Sequence, residues 1–256
     1  MLLGHEEVSP DGPDYCRRTP LWFAAWHGYG EVVKMLLGRE EVNPDKPSYS
    51  GRTPLSCAAA NGKEEVVRML LGRKEVNPDK PDNKGRTPLS YGAECGNGEV
   101  VKMLLVREEV NPDKPDNLGR TPLSYAIKAR STFGAEGCAG IVKMLLGRNE
   151  VCPNQQDNKG RTPLSYEAEY GYGEVVKMLL GRQEVSPDKQ DNRGRTPLSY
   201  AAEDGYGEVV KMLLGRKEVK PDKPDDGGRT PLSYAPDRWN LHRSENHGGG
   251  GWWKCY

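Results

Sequence analysis

The tripeptide Thr-Pro-Leu begins at Thr19, Thr53, Thr87, Thr121, Thr162, Thr196 and Thr230, in steps of 34, 34, 34, 41, 34 and 34 residues. A fixed period of this length means one supersecondary unit copied along the chain, each copy hiding its apolar face only against its neighbours. Length therefore counts units instead of globular domains.

The stretch GRTPLSYAAEDGYGEVVKMLLGRKEVKPDKPDDG, from Gly194 to Gly227, shows what one unit contains. Thr196 is placed to cap a helix through its hydroxyl, and Pro197 suits the first turn, where a missing N–H costs nothing. Leu198, Ala201 and Ala202 give that helix a narrow apolar stripe, and Gly205 ends it by accepting a left-handed backbone. A second helix starts near Glu208, with Val209, Val210, Met212, Leu213 and Leu214 apolar nearly all round, so neighbours must bury it; Gly215 stops it. The remaining Pro, Asp and Gly residues predict an extended turn or hairpin. Helices this short are unstable alone, so stacking must supply the stability.

The pattern GxTPLxxAxxxGxxxVVxxLL, present from Gly194 to Leu214, closely resembles the ankyrin repeat, and the resemblance runs from about Met1 to Ala235. It implies an all-α repeat solenoid of helix-turn-helix units joined by a β-hairpin or loop, with six full units and partial units at both ends. Residues 1–18 form the partial N-terminal unit, 19–235 the array and 236–256 a flexible tail. Tetratricopeptide repeats share the period but lack this helix start and the Pro/Asp/Gly link. Three departures stand out. Where the family usually has histidine after Thr-Pro-Leu, the chain has Trp22, Ser56, Ser90, Ser124, Ser165, Ser199 and Ser233. The fourth unit carries seven additional residues (41 − 34), at about 130–140, expected to bulge or extend its first helix. Neither end reads as capped.

Lysine plus arginine equals aspartate plus glutamate at 37 each, which gives no excess charge to attract nucleic acid or an anionic membrane. No stretch approaches the roughly 18 apolar residues of a span, and MLLGHEEVSP has no basic head for a secretory signal. The reading is an intracellular protein, cytoplasmic or nuclear, and a monomer unless its open ends associate. Six cysteines, Cys16, Cys57, Cys95, Cys138, Cys152 and Cys255, have neither metal-ligand nor regular disulfide spacing and are expected to be reduced. The four histidines, His5, His27, His242 and His247, match no zinc, nucleophile or carboxylate-relay motif, and no phosphate-cradling glycine loop occurs. No metal, cofactor or catalytic residue is expected.

In such a stack, function is read from columns of corresponding positions. Leu21, Leu55, Leu89, Leu123, Leu164 and Leu198 repeat because the same packing problem repeats. The ends of the first helices vary instead: Trp26, Ala60, Glu94, Lys128, Glu169 and Glu203 in one column, and His27, Asn61, Cys95, Ala129, Tyr170 and Asp204 in the next. The resemblance implies that these face a partner. Link tips vary too, at Tyr49 and Lys84 among others. The first unit is aromatic, with Trp22, Phe23, Trp26 and Tyr29, residue types that often dominate binding energy. The candidate partner-binding residues are therefore Trp22, Trp26, His27, Tyr29, Tyr49, Asn61, Lys84, Glu94, Lys128, Phe133, Glu169, Tyr170, Glu203 and Asp204. An arginine precedes each repeated threonine, and with the aspartates of the links it predicts a ladder of ion pairs between units. Trp252 and Trp253 are candidates to fold back on the last unit.

The expected function is a non-enzymatic scaffold binding a protein partner. Similar arrays, especially in fungi, stand beside signalling or nucleotide-binding domains, so the resemblance carries a second reading, a detached recognition portion of a larger protein. A third class, an enzyme with an unrecognised site, requires converging ionisable groups that the sequence does not supply.

Overall fold

The computed structural model describes residues 9–133 and 135–235, with the side chains of 130–137 left aside. The tail from 236 onward, with Trp252, Trp253, His242, His247 and Cys255, lies outside the described residues, as does the start of the partial first unit, residues 1–8. Two compact units divide between Asn158 and Lys159. The first holds α1 (Pro20–His27), α2 (Gly30–Leu37), α3 (Pro54–Ala60), α4 (Glu64–Leu71), α5 (Pro88–Glu94), α6 (Gly98–Leu105), α7 (Pro122–Phe133) and α8 (Ala135–Leu146). The second holds α9 (Pro163–Tyr170), α10 (Gly173–Leu180), α11 (Pro197–Glu203), α12 (Gly207–Leu214) and a 3-10 turn at Pro231–Tyr234. Among the described residues there is no strand.

Each first helix begins as its sequence requires. The Thr196 hydroxyl accepts the Ser199 N–H at 3.3 Å, and the Ser199 hydroxyl accepts the Thr196 N–H at 3.3 Å, with Pro197 in the first turn. The same reciprocal box closes α5 and α9 through Thr87 with Ser90 and Thr162 with Ser165. The serine that stands in the family's histidine position thus satisfies helix-start groups within its own unit.

Apolar spacing then sets the packing. First helices pack on first helices, α1 on α3, α3 on α5, α5 on α7 and, in the second unit, α9 on α11; second helices do likewise. Leu21, Leu55, Leu89 and Leu123 are each 0% exposed. Val67 and Val101, with Leu70 and Leu104, fill the layer behind them. The insertion lengthens both of its helices: α7 and α8 have 12 residues each, against seven or eight elsewhere. Glycine is not what stops the second helices, because α6 ends at the same point before Val106, and Gly215 keeps an ordinary right-handed φ of −69°.

The links are turns and not paired strands, the one place where the expected hairpin gives way to its alternative. Asp82 closes its link on itself, accepting the Lys84 and Arg86 N–H groups at Oδ1 at 2.8 and 2.9 Å, while Pro78 and Pro81 have no N–H for a ladder. Successive links are tied instead. The Asn117 N–H donates to the Lys84 carbonyl at 2.9 Å, directly over Gly85, whose φ is +80°; a Cβ there would stand 2.8 Å from that nitrogen. Lysine ties a deeper layer, with Lys80 Nζ 2.8 Å from Asp45 Oδ2, Lys114 2.8 Å from Asp79 and, in the second unit, Lys223 3.0 Å from Asp188.

Candidate partner-binding surface

The ends of the first helices stand clear of the packed layer because the left-handed glycine that follows turns the chain away to the second helix. Gly28 and Gly171 take φ of +83° and +74°. In the first unit Trp26, Asn61, Glu94 and Lys128 are half-buried there and His27 is exposed. In the second unit Glu169 and Tyr170 are half-buried, and Glu203 and Asp204 are exposed. Asn61 spends its amide locally, donating to the Cys57 carbonyl at 2.8 Å.

The aromatic residues of the first repeat form two groups. Trp22 and Trp26 stack with centroids 5.2 Å apart, Phe23 meets Trp22 edge-on at 5.4 Å, and His27 stacks on Tyr29 at 5.3 Å. Trp22 is 7% exposed and supports Trp26 from below. Tyr29 is 58% exposed, although its counterparts seal one repeat to the one before: Asn97 donates to the Ala59 carbonyl at 2.8 Å, and Tyr206 lies against Gly171. Tyr49, at 75% exposed, and Lys84 occupy link tips. The backbone of Phe133 ends α7; its side chain lies outside the described residues.

The arginine column forms the expected ladder between units only in part. Arg120 Nη2 lies 2.7 Å from Asp116 Oδ2 of the preceding link, whereas Arg161 Nη2, 2.9 Å from Glu169, and Arg195, paired with Glu203, find their acids on the helix that follows in the same copy. Three intervening residues in one link bring Arg120 back beside Asp116, so its nearest acid is the one in the link just before it. What passes between repeats is the stacking of the guanidinium on tyrosine rings, Arg161 at 3.9 Å from the Tyr166 centroid and 4.1 Å from Tyr200, and Arg195 at 4.0 Å from Tyr200 and 4.4 Å from Tyr234. Tyrosines of this column also donate to a link aspartate, Tyr125 to Asp116 at 2.7 Å and Tyr200 to Asp191 at 2.5 Å. Burial, then this bond, raises the phenols; Tyr200 is pushed up to about 12.

Electrostatics distinguishes the surfaces. In the second unit Asp204 is raised by burial and by the charges of Glu203 and Glu169, a cluster of acids on one face. Glu167, in the column that is Ala24, Ala58, Gly92, Ala126 and Ala201 elsewhere, is 0% exposed within α9. Among the described residues no three His, Cys, Asp or Glu side chains are grouped to hold a metal ion, and no helix is long and apolar enough to cross a membrane. Cys57 is pushed up to about 12, chiefly by burial. The sequence reading missed the aromatic seats of the arginines; the signal was the Tyr that follows Thr-Pro-Leu-Ser, one step from the column it watched.

A family model described as ankyrin repeats (3 copies) matches residues 21–116, 74–146, 104–191 and 168–238. No curated protein matches. Among solved structures the chain is similar to the ankyrin repeat domain of Bcl-3, described as a unique member of the IkappaB protein family. The two share 24% identity over 88% of this chain and 98% of that one, with a TM-score of 0.72. That likeness concerns the fold. Ankyrin repeats are in general non-enzymatic modules that bind other proteins. The repeated helix pairs, their capping boxes and the matched span together place this chain in the ankyrin repeat family.

Proposed function

We propose that this chain is a protein-binding scaffold that takes its partner on the ends of its first helices and the neighbouring link tips. One observation carries the reading: side chains change from copy to copy at these partly open positions, while the leucine column beneath them stays the same and stays buried. Packing dictates the second column and leaves the first to other demands. Trp26, His27, Asn61, Glu94, Lys128, Tyr49 and Lys84 serve the first unit, and Glu169, Tyr170, Glu203 and Asp204 the second. Trp22 acts beneath Trp26, and Tyr29 beside His27. The free thiols of Cys16 and Cys152, both exposed, suit a reducing intracellular setting.

The test is recovery of a partner from the native source, followed by calorimetry with purified components. Trp26→Ala is expected to weaken a true complex by about 2 kcal/mol. Unchanged affinity in Trp26→Ala and Tyr170→Ala, with both variants folded, would remove these columns from the interface.

A further inference from the structure

Six of the seven arginines that precede the repeated threonine lie against a carboxylate: Arg18, Arg86, Arg120, Arg161, Arg195 and Arg229. Arg52 does not, and among the described residues its side chain has no hydrogen bond and no ion pair. The sequence has removed every group that serves its counterparts. Ser48 stands where Asp82 and Asp116 stand, Cys57 where Tyr91 and Tyr125 stand, and Ala60 where Glu94, Glu169 and Glu203 stand. The arginine is nonetheless held in place: its guanidinium carbon lies 5.2 Å from the Trp26 ring centroid and 4.4 Å from that of Tyr91. Its Nε is buried without an acceptor, while the residue as a whole is half-buried beside Trp26.

We infer that Arg52, clamped by Trp26 and Tyr91, is a seat for a carboxylate brought by the protein partner. The sister repeats show what fits: a glutamate from the helix end 8 residues on, as Glu94 reaches Arg86 Nη1 at 3.2 Å, or an aspartate from the link. At Arg52 both carboxylates are shortened to Ala60 and Ser48, so the same place stays open to an outside acid. Two rings fix the plane of the guanidinium, which lowers the ordering needed for a paired N–H···O contact. The adjoining indole of Trp26 offers apolar cover, so the matching element is an aspartate or glutamate next to an apolar side chain. The inference rests on the proposed binding surface and narrows it to one contact.

A displayed library of random peptides, panned against the full chain, tests it. Enriched peptides are expected to share an acid at one position, and its change to the amide should weaken binding about tenfold or more. Arg52→Gln should weaken the acidic peptide to a similar degree and leave the amide peptide unaffected. Ala60→Glu, which refills the seat from within, should also weaken the acidic peptide while keeping the wild-type melting temperature or raising it; if it melts early, the Arg52→Gln and amide pair decides. Amidating the peptide terminus separates a side-chain carboxylate from a terminal one. If acid and amide peptides bind alike, or Arg52→Gln binds the acid fully, the seat is refuted, and the surface survives only if Trp26→Ala still weakens those peptides. A failure to enrich any peptide counts against both.

Discussion

At the scale of single residues, the same position does different work according to what surrounds it. Cys57 and Tyr91 occupy one column, yet Cys57 is a buried thiol held protonated and Tyr91 is a phenol that donates to Asp82 at 2.6 Å. Thiolate is the reactive form, so alkylation at neutral pH should mark the exposed Cys16 and Cys152 first and spare Cys57 until the protein unfolds. Mass spectrometry of the labelled peptides checks the order; early labelling of Cys57 would contradict its burial. The phenols bear on alkaline stability. Tyr200 has a folded value of about 12, above the ordinary 10, and Tyr91 and Tyr125 are raised in the same way. A group that holds its proton more tightly when folded stabilises the fold fully below the unfolded value and loses that contribution as pH climbs through the folded one. Melting temperature should therefore fall between about pH 10 and 12, and Tyr200→Phe should flatten part of that fall.

At the scale of elements, a helix of seven or eight residues persists because its ends are satisfied and its sides are covered. Thr196→Ala removes the acceptor for the Ser199 N–H and is expected to cost about 1 kcal/mol in chemical denaturation. Gly85→Ala in a link should cost at least as much. Its φ of +80° disfavours a side chain, and the new methyl group would press on the Asn117 backbone. A Gly85→Ala protein as stable as wild type would show that the links do not hold neighbouring repeats together. The helices themselves were legible: Thr-Pro marks every start, and the valine and leucine spacing marks the faces. The arrangement of the arginines was not, because the recurrence of arginines and link aspartates pointed to ion pairs without showing that Arg161 and Arg195 would turn to Glu169 and Glu203 instead. Only the path of the link, folding back within four residues, makes Asp116 the neighbour of Arg120.

At the scale of the whole chain, each repeat draws its stability from those on either side. Val32 is 37% exposed in the first described repeat, while Val66, its counterpart one repeat on, is 1% exposed. Amide exchange should therefore be slowest in α3 to α6, flanked on both sides within the first unit, and faster in α1 and α2 and at Pro231–Tyr234. Uniform protection along the chain would mean that it unfolds as one block. The sequence alone determined the period, the helix pairs and the buried leucine column, since these follow from capping and apolar spacing inside each copy. It also located the variable helix ends. What needed the tertiary structure was which variable position is chemically unfilled. Arg52 stands in the same motif as six other arginines, and Ser48, Cys57 and Ala60 already differ in the sequence of its copy. Only folding shows that these positions serve the guanidinium and brings Trp26 from the repeat before and Tyr91 from the repeat after to its two sides. Contacts between repeats are set by distance in space, and no count along a single copy contains them.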